Sequence, residues 1–445
     1  MNTESPINVL TRQWRIAELA KQNPQRSLNS IHHHLDMDWL REAYGLLQKD
    51  KAPGYDGETV QNYGKDLDSR LADLLARVKG GSYKAPPVKR VHIPKGEGKE
   101  TRPIGIPTTE DKVLQRAVAM LLEPIYEEEF KDFSYGFRPG RSAHQALERI
   151  WKQIMNEPIH WIVEVDIRKF FDTLDHGRLR KVLRQRVTDG VITKLIDKWL
   201  KAGVLEKQQL RYPERGTPQG GVISPILSNI FLHEVLDKWF DATVKPRLKG
   251  RAFIVRYADD FVMGFQSKED AERVYRVLPL RFGKYGLTIN MEKTRVVRFA
   301  RPGARGLSLE RAKAGTFDFL GFTHYWGKSR AGQWYVRQKT ASNRQRRTLR
   351  SIGQWCRENR HQPIRQQHRQ LCRKLQGHYA YYGIRANSRS INSVRHNVLY
   401  IWHKWLRRRS RGGRLMTWER FSAMIQESLQ VPPARIVHTQ GAARP

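Results

Sequence analysis

The chain is short of cysteine, short of acid and without long apolar runs, and each shortage argues something away. Its 445 residues include two cysteines, Cys356 and Cys372, with no CxxC spacing. That pattern argues against a disulfide framework and against a structural zinc site, and makes a reducing compartment the default reading. No uninterrupted apolar stretch is long enough to span a bilayer, and neither terminus stands out as a basic amphipathic anchor, so no membrane partner is expected. The opening residues Met1–Pro6 are polar and lack the apolar core of a signal peptide. His32, His33 and His34 have no spaced partner ligands and read as a solvated linker. There is no internal repeat. Acid is the most informative shortage: 44 Asp and Glu stand against 81 Lys and Arg, a formal charge of +37. Such an excess predicts a polyanionic partner, because each Lys or Arg that neutralises a phosphate releases condensed counterions.

What is present is organised around Arg256-Tyr257-Ala258-Asp259-Asp260-Phe261-Val262. The runs on either side, Ala252–Val255 and Met263–Phe265, are rich in aromatic and β-branched residues. They break at two aspartates, so the stretch reads as a β-hairpin with carboxylates at its tip. Asp is common in turns because its side chain bonds its own backbone. Adjacent carboxylates also repel, and a pair held at the end of two apolar strands calls for a cation; hard oxygen ligands suit Mg²⁺. On this stretch alone the turn and the metal readings stand level.

Along the chain, a helix is expected from Asp36, with Trp39, Leu40, Ala43, Leu46 and Leu47 at helical spacing. The loop Lys51–Gly57 carries Pro-Gly and Asp-Gly turn pairs. A helix over Val60–Lys79, a strand pair Val88–Pro94 and Thr101–Ile106, and a helix over Lys112–Tyr126 follow. The loop Phe133–Ser142 interleaves aromatics with arginines, which suits nucleic-acid stacking and equally suits an ordinary core loop with cation–π contacts. Trp161–Ile167 alternates as a strand, with Asp166 near its end. A Gly/Pro-rich loop, Arg215–Pro225, leads into a helix expected over Ile226–Phe240. From Lys339 to Trp418 there are twenty Lys and Arg and one acid, Glu358, in a helical pattern dotted with aromatics.

These blocks, in this order, resemble the reverse transcriptase family, and most closely the group II intron-encoded reverse transcriptase/maturases. The likeness runs from about Asp36 to about Arg420. It is carried by Ala52–Gly57, Arg102-Pro103-Ile104-Gly105-Ile106-Pro107, Tyr135-Gly136-Phe137-Arg138-Pro139, Asp166, Pro218-Gln219-Gly220-Gly221, Tyr257-Ala258-Asp259-Asp260 and Phe319-Leu320-Gly321-Phe322. The resemblance implies an α+β, right-hand polymerase fold of fingers and palm followed by an α-helical thumb/maturase domain. The expected division is an N-terminal extension over 1–35, fingers and palm over 36–335, the thumb/maturase domain over 336–430, and a disordered tail over 431–445.

The same resemblance assigns roles. Asp166, Asp259 and Asp260 would be catalytic and would hold two Mg²⁺. Lys95, Arg102, Phe171 and Gln219 would bind the incoming dNTP, with the Phe171 ring under the sugar, where core packing beside Phe170 is the plainer alternative. Arg344, Arg346, Arg347 and Arg350 would bind RNA. The implied partners are a group II intron RNA, an RNA template with a DNA primer, target DNA and dNTPs, in a bacterial-type cytoplasm with nucleoid association during mobility. Zinc-type Cys pairs and a His/Asn nuclease signature, which many relatives carry downstream, are absent from this sequence, so DNA cutting by it is not expected. The implied activity is RNA-directed DNA synthesis joined to intron splicing and mobility. A domesticated or defence-associated reverse transcriptase, and an RNA-binding splicing factor with secondary polymerase activity, remain open beside it.

Overall fold

A computed structural model describes residues 8–94, 101–206, 209–212, 216, 220–303 and 315–438. The described residues fall into two compact units, drawn from Met1–Ala146, Val165–Phe261 and Glu269–Arg295 and from Leu147–Glu164, Val262–Lys268 and Val296–Pro445. Helices and sheets are mixed and largely segregated, which makes the fold α+β. Among the described residues no helix is long and apolar enough to cross a membrane.

Where local chemistry is strong, the expected elements form. Asp36 caps the helix Met37–Gly45, its carboxylate accepting the Trp39 N–H at 2.9 Å. Val88–Pro94 and Thr101–Ile106 pair antiparallel, with Ile93 opposite Arg102 and Pro94 opposite Thr101. Val204–Glu206 adds to Val88–Pro94 in parallel, and Gln209–Arg211 adds to Val204–Glu206 antiparallel. A four-stranded sheet runs in the order Ala252–Tyr257, Asp260–Phe265, Trp161–Val165, Arg295–Arg298. In the hairpin itself Phe253–Val255 and Phe261–Phe265 are buried without alternation, which is why these runs read as continuously apolar.

Several expectations are corrected. The single helix over Val60–Lys79 is two, Val60–Tyr63 and Leu67–Lys79, separated by a tight 3₁₀ turn at Gly64–Asp66. Gly64 abuts the Tyr44 hydroxyl, where a side chain would collide, so the chain turns at that point. The helix over Ile226–Phe240 starts at Ser224 and is α-helical only to Leu232; wider π turns follow at His233–Asp237 and Phe240–Val244. The histidine run is a 3₁₀ turn, not a solvated linker: Asp189 accepts the Ile31 and His32 N–H groups and lies 2.9 Å from His32 Nδ1.

In the second unit, Phe317–Phe319, Phe322–Lys328 and Trp334–Thr340 form an antiparallel sheet. The last of these strands crosses the boundary expected near 335 and reaches Thr340, where Asn387 accepts the Thr340 N–H at 2.8 Å and donates to its hydroxyl. Among the described residues the basic stretch forms three helices, Ser342–Glu358, Ile364–Tyr382 and Ser388–Arg407, and a further helix, Trp418–Glu427, follows it. Ile391, Val394, Val398, Trp402 and Leu406 recur on one face and pack with Cys356, Leu371, Leu375 and Phe421. The Trp402 indole N–H is satisfied by Gln367 at 3.0 Å. The tail expected to be disordered is not so in its first part: Val431 is buried, and the Val437 and His438 N–H groups donate to Gly383 O.

Candidate active site around the Asp259 hairpin

Asp166 follows directly on the strand Trp161–Val165, and its surroundings fix it. Its N–H donates to Thr294 Oγ1 at 3.2 Å and its carbonyl accepts the Asn290 N–H at 2.8 Å. The Asn290 amide also donates to Asp166 Oδ2 at 3.0 Å, so one asparagine holds both backbone and carboxylate. The sequence alone does not single out Asn290; the available signal was a side chain with both a donor and an acceptor just after the turn at Gly286.

Asp259 sits on the other side of a strained turn. Ala258, buried, has a φ of 56°, a left-handed conformation that non-glycine residues avoid. That conformation is held by Arg256, whose side chain is wholly buried. Its Nη1 donates to Ala258 O at 3.0 Å and to Asn229 Oδ1 at 2.9 Å. Its Nε and Nη2 donate to the two oxygens of Asp237 at 2.8 and 2.5 Å, a bidentate pair at full burial. Burial pushes the Asp237 carboxyl up, but Arg256 and His233 outweigh it and hold the group below its ordinary range. Asn229 completes the frame by donating to Gly136 O at 2.7 Å. Gly136 has to be glycine, because a Cβ there would run into the Ala258 backbone N. Asp237, Asn229 and the role of Arg256 were all missed. The available signal was an acid set among apolar residues ahead of an arginine on a buried strand.

The loop Phe133–Ser142 is core in its first half, where Ser134, Tyr135, Gly136 and Arg138 are buried. Arg138 is buried, donates to Glu127, Lys131 O and Ser134 O, and lies 5.1 Å over the Phe130 ring. Arg141 lies 5.4 Å over Tyr135. Phe137 departs from this pattern: it is 55% exposed, has a φ of 58°, and its ring is 6.4 Å from that of Tyr257.

Asp166 and Asp259 come near enough for their charges to act on one another. Burial pushes the Asp259 carboxyl above its ordinary range and the Asp166 charge adds to that, while a backbone hydrogen bond, Arg102 and Arg256 pull the other way without cancelling it. Asp260, first residue of its strand, is exposed. Among the described residues no group of three His, Cys, Asp or Glu side chains converges as a metal cage. The donor set that does converge is a pair of carboxylates, one half-buried and raised in pKa beside the other. Bringing a divalent cation to such a pair relieves the repulsion and restores the charged form, so the residues fit a hard, oxygen-seeking ion.

Of the residues expected at a nucleotide, Lys95 and Gln219 lie outside the described residues. Arg102 is exposed on the strand Thr101–Ile106 and acts on Asp259. Phe171 is half-buried, edge-on to Phe170 with centroids 5.2 Å apart. Gly220, at a φ of 116°, lies so close to the Arg102 strand that a Cβ would fall 2.7 Å from Gly105 O. Behind this turn, Gln115 accepts the Ile223 N–H at 3.3 Å and donates to the buried Asp111 at 3.1 Å; Trp199 and Tyr83 also donate to Asp111. Burial pushes the Asp111 carboxyl up to about 6 against those hydrogen bonds.

Arg344, Arg346, Arg347 and Arg350 all lie on the helix Ser342–Glu358 and are all exposed. At about 100° per residue the four spread over roughly 160° of the helix surface in the order Arg346, Arg350, Arg347 and Arg344, with Gln354 and Arg357 among the first three.

A family model described as "Reverse transcriptase (RNA-dependent DNA polymerase)" matches residues 93–324. The chain is 35% identical to Protein YkfC of Escherichia coli over 321 residues, covering 64% of this chain and 83% of that protein. It is 31% identical over 370 residues to the Group II intron-encoded protein LtrA of Lactococcus lactis, covering 69% of this chain and 61% of LtrA. Over 192 residues it is 26% identical to the Nuclear intron maturase 4, mitochondrial, of Arabidopsis thaliana, covering 40% of this chain and 24% of that protein.

Proposed function

Because the chain belongs to the reverse transcriptase family, in its group II intron-encoded reverse transcriptase/maturase branch, we propose that it copies an RNA template into DNA from a DNA primer and binds an intron RNA to assist its splicing. Mobility by target-primed cDNA synthesis belongs to the same reading, with target DNA as a further partner. The observation that carries it is the nearness of Asp166 and Asp259, the first carboxylate fixed by Asn290 and the second following a turn that Arg256 holds through the Ala258 carbonyl.

In this reading residues 36–335 hold fingers and palm and residues 336–430 the thumb, with its basic helices Ser342–Glu358, Ile364–Tyr382 and Ser388–Arg407. Asp166 and Asp259, with Asp260 as third candidate, would hold two Mg²⁺, which when bound lower the pKa of the primer 3′-hydroxyl and stabilise the departing pyrophosphate. Asn290 keeps the Asp166 carboxylate from swinging away, and Arg256 keeps the Ala258 turn from relaxing. Arg102 sets a positive charge beside the triphosphate. Phe171 lies under the sugar, and the Gly220 turn presents backbone to the nucleotide. The exposed arginines of Ser342–Glu358 take phosphates of structured RNA, which needs no metal at the hairpin.

Two assays on the same proteins test this: primer extension on a generic RNA template, and splicing of a cognate precursor at near-physiological salt. Asp259→Asn is expected to abolish extension and leave splicing and RNA binding intact. Extension at the wild-type level in Mg²⁺ would overturn the polymerase assignment. Splicing lost together with extension would overturn the separation of the two roles.

A further inference from the structure

The helices Ser342–Glu358 and Ser388–Arg407 leave an open groove of about 670 Å³ along their outer side. That size lies inside the range of roughly 300–1,000 Å³ in which small-molecule-sized groups are held. Its floor is made by Gly353 and Ile401. A Cβ on Gly353 would meet nothing nearer than Ile401 Cγ2 at 3.8 Å, so the glycine leaves real space there.

The walls are chemically mixed in a specific way. Arg350, Arg357 and Lys404 bring three cations to it. Trp405, half-buried against the helical core, offers its indole, with the Lys404 ammonium 6.0 Å and the Arg408 guanidinium 5.5 Å from the ring centroid. Glu358 also lines the groove, its Oε1 accepting from Gln354 Nε2 at 2.9 Å. It is the single acid between Lys339 and Trp418, a stretch with twenty Lys and Arg. A site for bare phosphate, or for an acidic peptide, gains nothing from a carboxylate. A nucleotide has uses for all of these groups: phosphates for the cations, a π-face for the indole, and base-edge or ribose donors for a carboxylate and an amide.

We propose that this groove takes one unpaired nucleotide of a folded RNA. The base lies against Trp405, the flanking phosphates sit on Arg350, Arg357 and Lys404, and Glu358 with Gln354 accept from the base edge or the ribose. The inference rests on the RNA-binding reading above and deepens it: the helices read a place where the RNA is unstacked, in addition to gathering phosphates.

The test uses the full chain and two RNA hairpins of equal length and charge, one with a single bulged 2-aminopurine and one with the same base paired. Wild type is expected to bind the bulged hairpin roughly tenfold tighter and to quench its fluorescence, as stacking of one base on an aromatic ring implies. Trp405→Ala should abolish that preference and the quenching while leaving affinity for the paired hairpin unchanged. Gly353→Leu, which fills the groove from a position with room for the side chain, should do the same and serves where Trp405→Ala weakens the fold. If wild type binds both hairpins equally, the groove assignment is overturned while the RNA-binding reading stands. If it binds neither, the RNA-binding reading itself fails and takes the groove with it. Displacement of the bulged hairpin by an equimolar polyglutamate peptide would also overturn the assignment, marking the groove as a surface for acidic protein.

Discussion

The surroundings of Asp259 and the helix Ser342–Glu358 are both rich in charge, and they use it in opposite ways. At the hairpin every charge has an address: Arg256 and Asp237 are fully buried, paired in both directions, and tied to the Ala258 turn. On the helix, Arg344, Arg346, Arg347 and Arg350 are exposed. A buried charge acts through its position, so replacing one residue should break what it positions. Exposed charges act through their number, so the loss should be graded and salt-dependent.

The sharpest way to break the comparison is at the carboxylates. Asp259→Asn is expected to lower primer extension at least roughly a thousandfold, since a neutral amide neither holds a cation well nor compensates phosphate charge. Its thermal midpoint should not fall, because burial already disfavours the charged form of Asp259 in the folded chain. Steady-state extension and a melting curve on one preparation check both halves. A variant that loses activity only by unfolding would show the tip to be structural.

Next in size is the frame behind it. Arg256→Met leaves Asp237 buried and uncompensated, which should cost about 3–5 kcal/mol of unfolding free energy. Pairing it with Asp237→Leu should recover much of that stability, since neither charge is then stranded, but should not recover extension, because nothing then holds the Ala258 carbonyl. Urea unfolding of the two variants measures the stabilities. A single variant within 1 kcal/mol of wild type would mean that Arg256 is a bystander.

How far the sequence could be read follows the same division. Short-range chemistry was legible: the Asp36 cap and the pair Val88–Pro94 with Thr101–Ile106 stand where residue types put them, and the hairpin forms with its turn at Ala258-Asp259, one residue ahead of the expected Asp259-Asp260. Asp166 was singled out by the family resemblance, since a carboxylate at a strand end is by itself an ordinary cap or turn residue. What escaped was long-range. Asn290 reaches Asp166 across 124 residues and Asn229 reaches Gly136 across 93, and no local pattern marks a residue for a partner so far away. The break at Gly64 and the π turns after Leu232 escaped for a related reason: packing, not propensity, decides them. The arginines of Ser342–Glu358 were found as a run, but their order around the helix is a matter of helix phase.

That phase sharpens the third expectation. Replacing Arg344, Arg346, Arg347 and Arg350 together with Gln should flatten the log–log salt dependence of RNA binding by roughly three to four units if all four touch phosphate. Replacing only Arg346, Arg350 and Arg347, which follow one another around the helix, should account for about three quarters of the change if all four touch one RNA backbone. Splicing at near-physiological salt should fall in step while primer extension on a short template changes little. Filter binding over a salt series, run with both sets, distinguishes a phosphate track from scattered solvated charge, which would give no change of slope.

The smallest effect is expected at Phe171, which belongs to neither kind of charge and tests whether position alone can select a substrate. Its ring is half-buried and edge-on to the buried Phe170. Its carbonyl packs so close to Gly216 that a Cβ there would come within 2.8 Å of it. If the ring lies under the sugar, Phe171→Ala opens room for a 2′-hydroxyl and should reduce discrimination against ribonucleotides by roughly tenfold, the scale of a steric preference in a small pocket. If the ring is only core, truncation removes apolar contact beside Phe170 and should cost about 2–3 kcal/mol of stability, somewhat less than for a fully buried phenylalanine, with the sugar preference intact. Single-nucleotide incorporation with each sugar, measured well below the melting temperature of the variant, separates the two. A shift confined to the ratio of kcat/KM values for the two sugars assigns Phe171 to the nucleotide; a fall in stability with an unchanged ratio assigns it to the core.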